Sequence, residues 1–552
     1  MNIRNYNVYF STHTISGIIT CALLYIIFFA GSFSFFRKEI SAWQKDNSLT
    51  AYQVNPAAYV QFLDSINTSF PLHGRDISFL LQDKGANAFI RMSASNDSIL
   101  NKLNEAKLKS SKPTKPQRGR RAGPGDSKSL GYDFKHKVVT EYSSSYDLGE
   151  FLYRLHFLAQ LNEVPIRLGF APFGYFIAGL TSFIFLFALI TGLMLHWDKI
   201  VSNFFVFRPF NKWKTVWTDM HTALGVIGFP FQFMYAVTGI FLILNSVLAI
   251  PFTKVLYDGD NSKMLQELGY NPESDFKYSY IPLQSPVDIN YFFQEAKKKY
   301  PDSELKKIVI KNYGDQAMHI TFLSEPHFNK SFAGSGVLTY RVHDKKLIDE
   351  KSPMENPTYI DKVKSLLYRL HLGDYGGYPL KVVYFILGIM GCLVITSGIL
   401  IWLVARDKNN VIPRKRKFNL WMANFFMAIC LTMLPVTALS FIIIKLTMNI
   451  QLSVPVDQSF IYKVYFYAWL VFVVYYTFRK SINRTNRECL FIGGILALIV
   501  PLVNGIVSGN WIWLTFYHHK TDILIVDLLW LFIGMVSLFA YLKTKQYFAV
   551  KL

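Results

Sequence analysis

Eight predominantly apolar runs, each near the length of about 20 residues that crosses a bilayer, divide this chain. They lie at 11–36, 173–196, 220–247, 380–404, 419–446, 461–478, 488–508 and 522–542. Lipid offers the backbone no hydrogen-bonding partners, so each run must satisfy its own N–H and C=O groups as a helix. The reading is an α-helical integral membrane protein with about eight transmembrane helices. Composition agrees, because 51% hydrophobic against 17% charged residues is outside the range of ordinary soluble domains. The first run is too long and too aromatic for a cleaved signal peptide, and no small-residue cleavage site follows it, so it is expected to remain as a span.

Loop charge orients the spans. Lys199, Arg208, Lys212 and Lys214 follow the second run; Arg406, Lys408, Arg414, Lys415, Arg416 and Lys417 follow the fourth. Arg479, Lys480, Arg484 and Arg487 follow the sixth, and the chain closes with Lys543, Lys545 and Lys551. The alternate short loops, 447–460 and 509–521, hold Lys520 as their only Lys or Arg. The positive-inside rule places both termini in the cytoplasm and two long segments, 37–170 and 250–375, outside. Much of the net charge of +21 sits in those inner loops and in a basic linker. The charge therefore calls for no nucleic-acid partner; the lipid bilayer is the partner it implies. Cys21, Cys392, Cys430 and Cys489 lie in or beside spans, leaving no disulfide framework outside and no CxxCH for covalent haem.

Part of the chain is written twice. Phe10-Ser11-Thr12-His13 with Gly17 opens a span closing at Gly31, and Trp217-Thr218-Asp219-Met220-His221 with Gly225 opens one closing at Gly239. In both, 18 residues separate the histidine from the closing glycine. A second pair, Tyr153-Arg154-Leu155-His156 and Tyr368-Arg369-Leu370-His371, stands ahead of the next span in each copy. Duplicated histidines in a helical bundle point to paired axial ligands of haem b, which takes two neutral imidazoles from different helices. His13 and His221 would serve a haem near the cytoplasmic face, and His156 and His371 one near the outer face. Gly17 and Gly225 would clear side chains from the macrocycle, or serve ordinary helix packing. Arg154 and Arg369 are candidate propionate partners, or contacts for lipid phosphate. His196, ending the second span with Trp402 as its repeat counterpart, could replace an inner ligand or donate to a propionate. For a lone histidine at a span end an interfacial polar tip is the default; four in two symmetric pairs favour ligation.

The exterior segments repeat as well. Pro56–Ile66 reads as a helix, with strands at 76–82, 88–92 and 132–141; Val287–Lys299 reads as a helix, with strands at 307–312, 317–323, 336–343 and 347–350. Between them 102–131 is rich in Lys, Ser, Pro and Gly, with Arg118, Arg120 and Arg121 clustered, and reads as a flexible insert.

On His13-x3-Gly17, Arg154-Leu155-His156-Phe157, Thr191-Gly192-Leu193-Met194-Leu195-His196, Asp219-Met220-His221-x3-Gly225 and Arg369-Leu370-His371, the chain resembles the PepSY-associated transmembrane family over about 1–406. That family includes proteins labelled iron-regulated membrane proteins and siderophore reductases. The resemblance implies a bacterial inner-membrane protein with a four-span core and two periplasmic α+β PepSY-like domains inserted in a duplicated two-span repeat. The expected organisation is transmembrane helix 1 in 1–36, PepSY-like domain 1 in 37–170, helices 2 and 3 in 171–249, PepSY-like domain 2 in 250–375, helix 4 in 376–406 and a four-helix membrane extension in 407–552. It also implies a di-haem electron-transfer protein that reduces a periplasmic ferric siderophore or other Fe(III) chelate. The sequence departs from the family pattern where 369–371 runs on as Leu-Gly-Asp-Tyr and where spans 419–542 exceed the core.

No GxGxxG after a strand and no P-loop is present, and the short inner loops have no room for a flavin or nicotinamide domain. Electrons must then come from a separate donor, a quinone or a reductase. His73, His136, His319, His327 and His343 lack ligand spacing, and His518-His519 reads as a surface pair. Two other readings compete: an anchor whose PepSY-like modules bind or restrain a partner such as a peptidase, and a transporter, for which Asp527 is the clearest intramembrane charge.

Overall fold

The computed structural model describes the chain apart from residues 1, 49–54, 83–84, 111–125, 141, 209–210, 261–262, 265–266, 268–275, 285–287, 356, 408–410, 450–454 and 550–552. It separates into a membrane unit (Met1–Leu49, Tyr146–Val247, Leu370–Leu552) and a sheet unit (Thr50–Ser145, Leu248–Arg369).

Eight helices of the described residues are long and apolar enough to cross a membrane. Spans 1 to 4 are Ile3–Ser34, Phe173–Phe204, Lys214–Asn245 and Gly377–Arg406; spans 5 to 8 are Pro413–Met448, Gln458–Arg479, Ile482–Ser508 and Thr521–Thr544. Each apolar run of the sequence thus lies within one helix or span, except that the first, 11–36, runs two residues past the end of span 1 at Ser34. Span 5 is jointed: its helix ends at Leu431 and restarts at Met433. Pro435 explains the joint, since it has no N–H and its ring clashes with the carbonyl of residue 431 one turn back.

The membrane unit also holds the short helices Arg37–Lys45 and Leu148–His156. Arg37–Lys45 buries Ile40, Trp43 and Gln44, and Asp46 ends it in the left-handed conformation. Leu148–His156 starts at Asp147, whose carboxylate accepts from Glu150 N at 2.9 Å, an N-cap that satisfies one of the free N–H groups of the first turn. Its buried residues Leu148, Phe151, Leu152 and Leu155 recur at helical spacing and fix which face turns inward. His156 is its last residue.

Among the described residues the sheet unit holds eight antiparallel strands: β1 Arg75–Gln82, β2 Asn87–Ser95, β3 Lys128–Asp133, β4 Val138–Thr140, β5 Ser303–Lys311, β6 His319–Pro326, β7 Gly336–Arg341 and β8 Lys346–Lys351. Their order is β4-β3-β2-β1-β5-β6-β7-β8. The sequence predicts two separate modules; the strands instead form one sheet, joined at its middle by β1 against β5 with Ile77 opposite Ile310 and Phe79 opposite Ile308. The physical reason is that either half alone would leave a long apolar edge strand unpaired, a template for aggregation. Helices Ala57–Ser69 and Ile289–Lys299 pack through Tyr59 and Phe293, whose rings stack at 4.8 Å, above a shared core of Ile77, Phe79, Ile308, Ile310 and Phe322.

The segment expected as one strand at 132–141 is a hairpin, β3 to β4, turning at Lys137 with φ 56°. Its repeat counterpart, β7 to β8, turns at Lys345 with the same φ of 56°. The two exterior segments thus each end their sheet strands in a hairpin. Ser98–Ser110 is helical and β3 begins at Lys128, so the ends of the expected flexible insert are regular structure. Its middle, with Arg118, Arg120 and Arg121, lies outside the described residues.

Candidate functional site

The duplicated histidines meet in the pairs the sequence proposed. His13 of span 1 and His221 of span 3 have ring centroids 6.0 Å apart at an interplanar angle of 73°. Each is tied to the next span in its own copy. His13 Nδ1 lies 2.8 Å from the Ala188 carbonyl oxygen, and His221 Nδ1 lies 2.8 Å from that of Val394. A carbonyl can only accept, so both imidazoles carry their proton on Nδ1 and present Nε2 as a free lone pair. Glycines let the rings come this close: a Cβ on Gly192 would stand 3.0 Å from His13 Cε1, and one on Gly398 3.2 Å from His221 Cε1.

The second pair joins His156 to His371, with centroids 5.8 Å apart and rings tilted by 39°. His156 Nδ1 lies 2.8 Å from the Ile27 carbonyl oxygen. His371 Nδ1 meets Thr238 Oγ1 at 2.7 Å, and that hydroxyl gives its own proton to the Met234 carbonyl oxygen at 2.6 Å. The Thr238 oxygen is then an acceptor, and His371 too is protonated at Nδ1 and bare at Nε2. Burial lowers the affinity of both rings for a second proton. His371 is pushed down to about 3, by burial first and by its neighbour His156 second. All four imidazoles thus share one tautomer, set by four different acceptors.

Gly17 and Gly225 face open space, since a Cβ at either would meet nothing within 4 Å. Ahead of His221, Arg208 holds Asp219 through two side-chain bonds of 2.9 Å, which fixes the entry to span 3. His196 differs from the four paired histidines. Its Nδ1 lies 3.1 Å from Asn203 Nδ2, an amide nitrogen that donates, so its proton sits on Nε2. His196 is thus a hydrogen-bond donor at that nitrogen, where the paired histidines offer a lone pair.

The two arginines share a place in the repeat and little else. Arg154 Nε bonds Glu150 Oε1 at 2.6 Å, and Glu150 also pairs with Arg37. Arg369, in the sheet unit, lies with its guanidinium 3.9 Å over the Phe328 ring. His319 stacks on Phe276 at 3.5 Å, His136 bonds Asp133 at 2.7 Å, and His518 and His519 are exposed. Among the described residues no group of three or more His, Cys, Asp or Glu side chains could hold a metal ion.

Sequence reasoning named every paired histidine but gave Gly192 no role of its own and missed Gly398 and Thr238. The glycines had a signal: Thr191-Gly192-Leu193 and Ser397-Gly398-Ile399 are another repeated word, near the end of the second span of each copy. Thr238 had none, because its counterpart in the first copy is Ala30, and there the histidine bonds a backbone carbonyl.

Comparison with known proteins agrees with this architecture. The chain is 21% identical over 194 residues to the uncharacterized protein PA4219 of Pseudomonas aeruginosa, a match covering 34% of this chain and 48% of that protein. The chain therefore spans about half the length of that curated relative. Residues 10–405 match the PepSY-associated TM region, a stretch that takes in both histidine pairs, and ends before span 5. On that match the chain, a multi-pass integral membrane protein, belongs to the PepSY-associated TM region family.

Proposed function

We propose that this protein is a bacterial inner-membrane di-haem electron-transfer protein that reduces a ferric siderophore or similar Fe(III) chelate on the periplasmic side. The observation that carries the reading is the shared tautomer of His13, His221, His156 and His371, each with Nδ1 spent on an acceptor and Nε2 free. That arrangement is how proteins prepare histidine for a metal, since the bond at the far nitrogen fixes ring orientation and raises basicity. The spacing supports it too. Two imidazoles would have to stand close together to hold one iron through their Nε2 atoms. The pairs stand at 6.0 and 5.8 Å.

His13 and His221 would hold one b-type haem, and His156 and His371 another; when bound, haem supplies reversible one-electron chemistry. The chain's own contribution is orientation and exclusion of water. Ala188, Val394 and Ile27 donate no proton to the rings and lock them by their carbonyls, and Thr238 does the same with its hydroxyl. His196, with its proton on Nε2, is suited to donate to a propionate. One electron delivered to the chelate converts Fe(III) to Fe(II), whose lower charge weakens its hold on hard oxygen donors. The electrons would come from a separate donor, a quinone or a reductase.

A reduced-minus-oxidised visible spectrum with a pyridine haemochrome assay on detergent-purified protein tests the proposal. The expected result is about two b-type haems per chain, falling to about one in His13→Ala and in His371→Ala. Protein expressed with ample haem that shows no reducible Soret band would overturn the reading. Release of Fe(II) from ferric siderophores, trapped by a ferrous chelator, would then identify the substrate.

A further inference from the structure

We infer that the membrane extension formed by spans 5 to 8 is a positioning element for His156, acting through the Arg37–Lys45 helix. This inference rests on the functional reading above for its importance to haem, but its mechanical content can be tested without haem. The extension lies beyond the stretch that matches the family, so its role has to be read from its contacts.

Spans 5, 7 and 8 carry ionisable and amide groups in places where burial is costly. Lys445, Asp527 and Asn504 are each 0% exposed. Such groups persist in a bundle interior only when paired, and here the pairing converges on one short helix and its C-cap. Lys445 Nζ donates to the Trp43 carbonyl oxygen at 2.5 Å and to Asp46 Oδ1 at 2.6 Å. Trp43 Nε1 donates to Asp527 Oδ1 at 2.7 Å, while Asn504 Nδ2 holds the other oxygen of that carboxylate at 2.8 Å. Ser508 Oγ and Asn510 Nδ2 each donate to Asp46 at 2.8 Å.

The gripped helix in turn holds the helix that ends in His156. Ser41 Oγ at 2.8 Å and Lys45 Nζ at 2.6 Å both donate to Asp147, the N-cap of that helix. Gln44 Oε1 accepts from Leu148 N at 2.7 Å, and Arg37 pairs with Glu150. Gly149 lets the two backbones touch, because a Cβ there would overlap the Arg37 carbonyl oxygen. On its other side Phe151 packs against Tyr465 of span 6 at 4.7 Å and Phe466 at 5.8 Å. The Leu148–His156 helix is therefore clamped between Arg37–Lys45 and span 6, both set by the extension. In the second copy the residues after the closing glycine simply continue the span 3 helix to Leu256, so this clamp serves one histidine of the pair.

The test uses full-length protein carrying Trp43→Phe, which removes the indole N–H together with part of the buried ring, or Asp527→Asn, which keeps the shape and removes the N–H acceptor pair of the carboxylate. Hydrogen–deuterium exchange is read on peptides covering 148–156 and, as control, 213–245. Exchange over 148–156 should rise about 10-fold with 213–245 unchanged. In haem-loaded protein the electron paramagnetic resonance signal lost in His371→Ala should shift, the one lost in His13→Ala should not, and haem retention at the shifted site should fall about 10-fold. Unaltered exchange over 148–156 in both variants overturns the inference. So does loosening that is equal in both segments in both variants, because the clamp acts on 148–156 and not on span 3. A wild-type protein that binds no haem would remove the functional reading yet leave the exchange result decisive for the clamp.

Discussion

At the residue scale the two closing glycines, indistinguishable in sequence, have different work. A Cβ on Gly31 would lie 2.5 Å from His156 Nδ1, while one on Gly239 would lie 3.9 Å from His371 Cε1, an ordinary contact. Gly31→Ala must push the imidazole off its bond to Ile27, an overpacking cost of about 1–3 kcal/mol; Gly239→Ala should be near neutral. Thermal unfolding of the two purified variants checks this, and equal melting temperatures would refute it. Thr238→Val belongs to the same argument. It leaves the His371 Nδ1–H buried without its acceptor, a loss of about 1–3 kcal/mol, whereas Thr238→Ser should retain the bond. The 18-residue spacing revealed both glycines because a repeat is legible in letters. Which copy is tight depends on whether the imidazole bonds a backbone carbonyl or a side chain, and no spacing encodes that.

At the scale of elements, the spans and most strands were legible because each has a strong periodicity and clear ends. What escaped was pairing: the hairpin at β3–β4 was read through its turn as a single strand, since its turn residues, Phe134 to Lys137, include no glycine. The helix Tyr359–Leu372, which carries Arg369 and His371, shows a start signal of the kind sequence can give. Thr358 Oγ1 accepts from Asp361 N at 3.2 Å, and Asp361 Oδ2 accepts from Thr358 N at 3.0 Å, a reciprocal capping box. Burial alone would push the Asp361 carboxyl up. Bonds from Lys351, Ser335 and Thr358 outweigh it and hold the group at about 2, against an ordinary 3.8. A carboxylate more acidic in the folded chain stabilises that chain when ionised, so its contribution is complete above pH 3.8 and disappears as pH falls through about 2. Exchange protection of 357–368 in purified protein should fall across that window. Asp361→Asn should show lower protection at neutral pH and no further loss on acidification through it; a wild-type-like acid profile in that variant would refute the assignment.

At the scale of the molecule, duplication explains both what could be read and what could not. Repeated words gave the histidine pairs, the span order and two matching sets of strands, because each copy preserves its local pattern. They could not show that the copies of the exterior segment share one core, since β1 and β5 lie in different segments and their pairing is a long-range choice. The unity of that sheet is testable in the intact protein. Ile308 is 1% exposed and sits opposite Phe79 at the seam, so Ile308→Asp places an unpaired charge in the common core, a change of the kind that costs several kcal/mol. In a single cooperative unit this substitution, made in the second segment, should open the first segment as well. Limited proteolysis in detergent should then cut between 55 and 110 and between 288 and 351 together, with cleavage of the spans unchanged. Two independent modules would behave differently: only the second would be cut, and the first would keep its resistance.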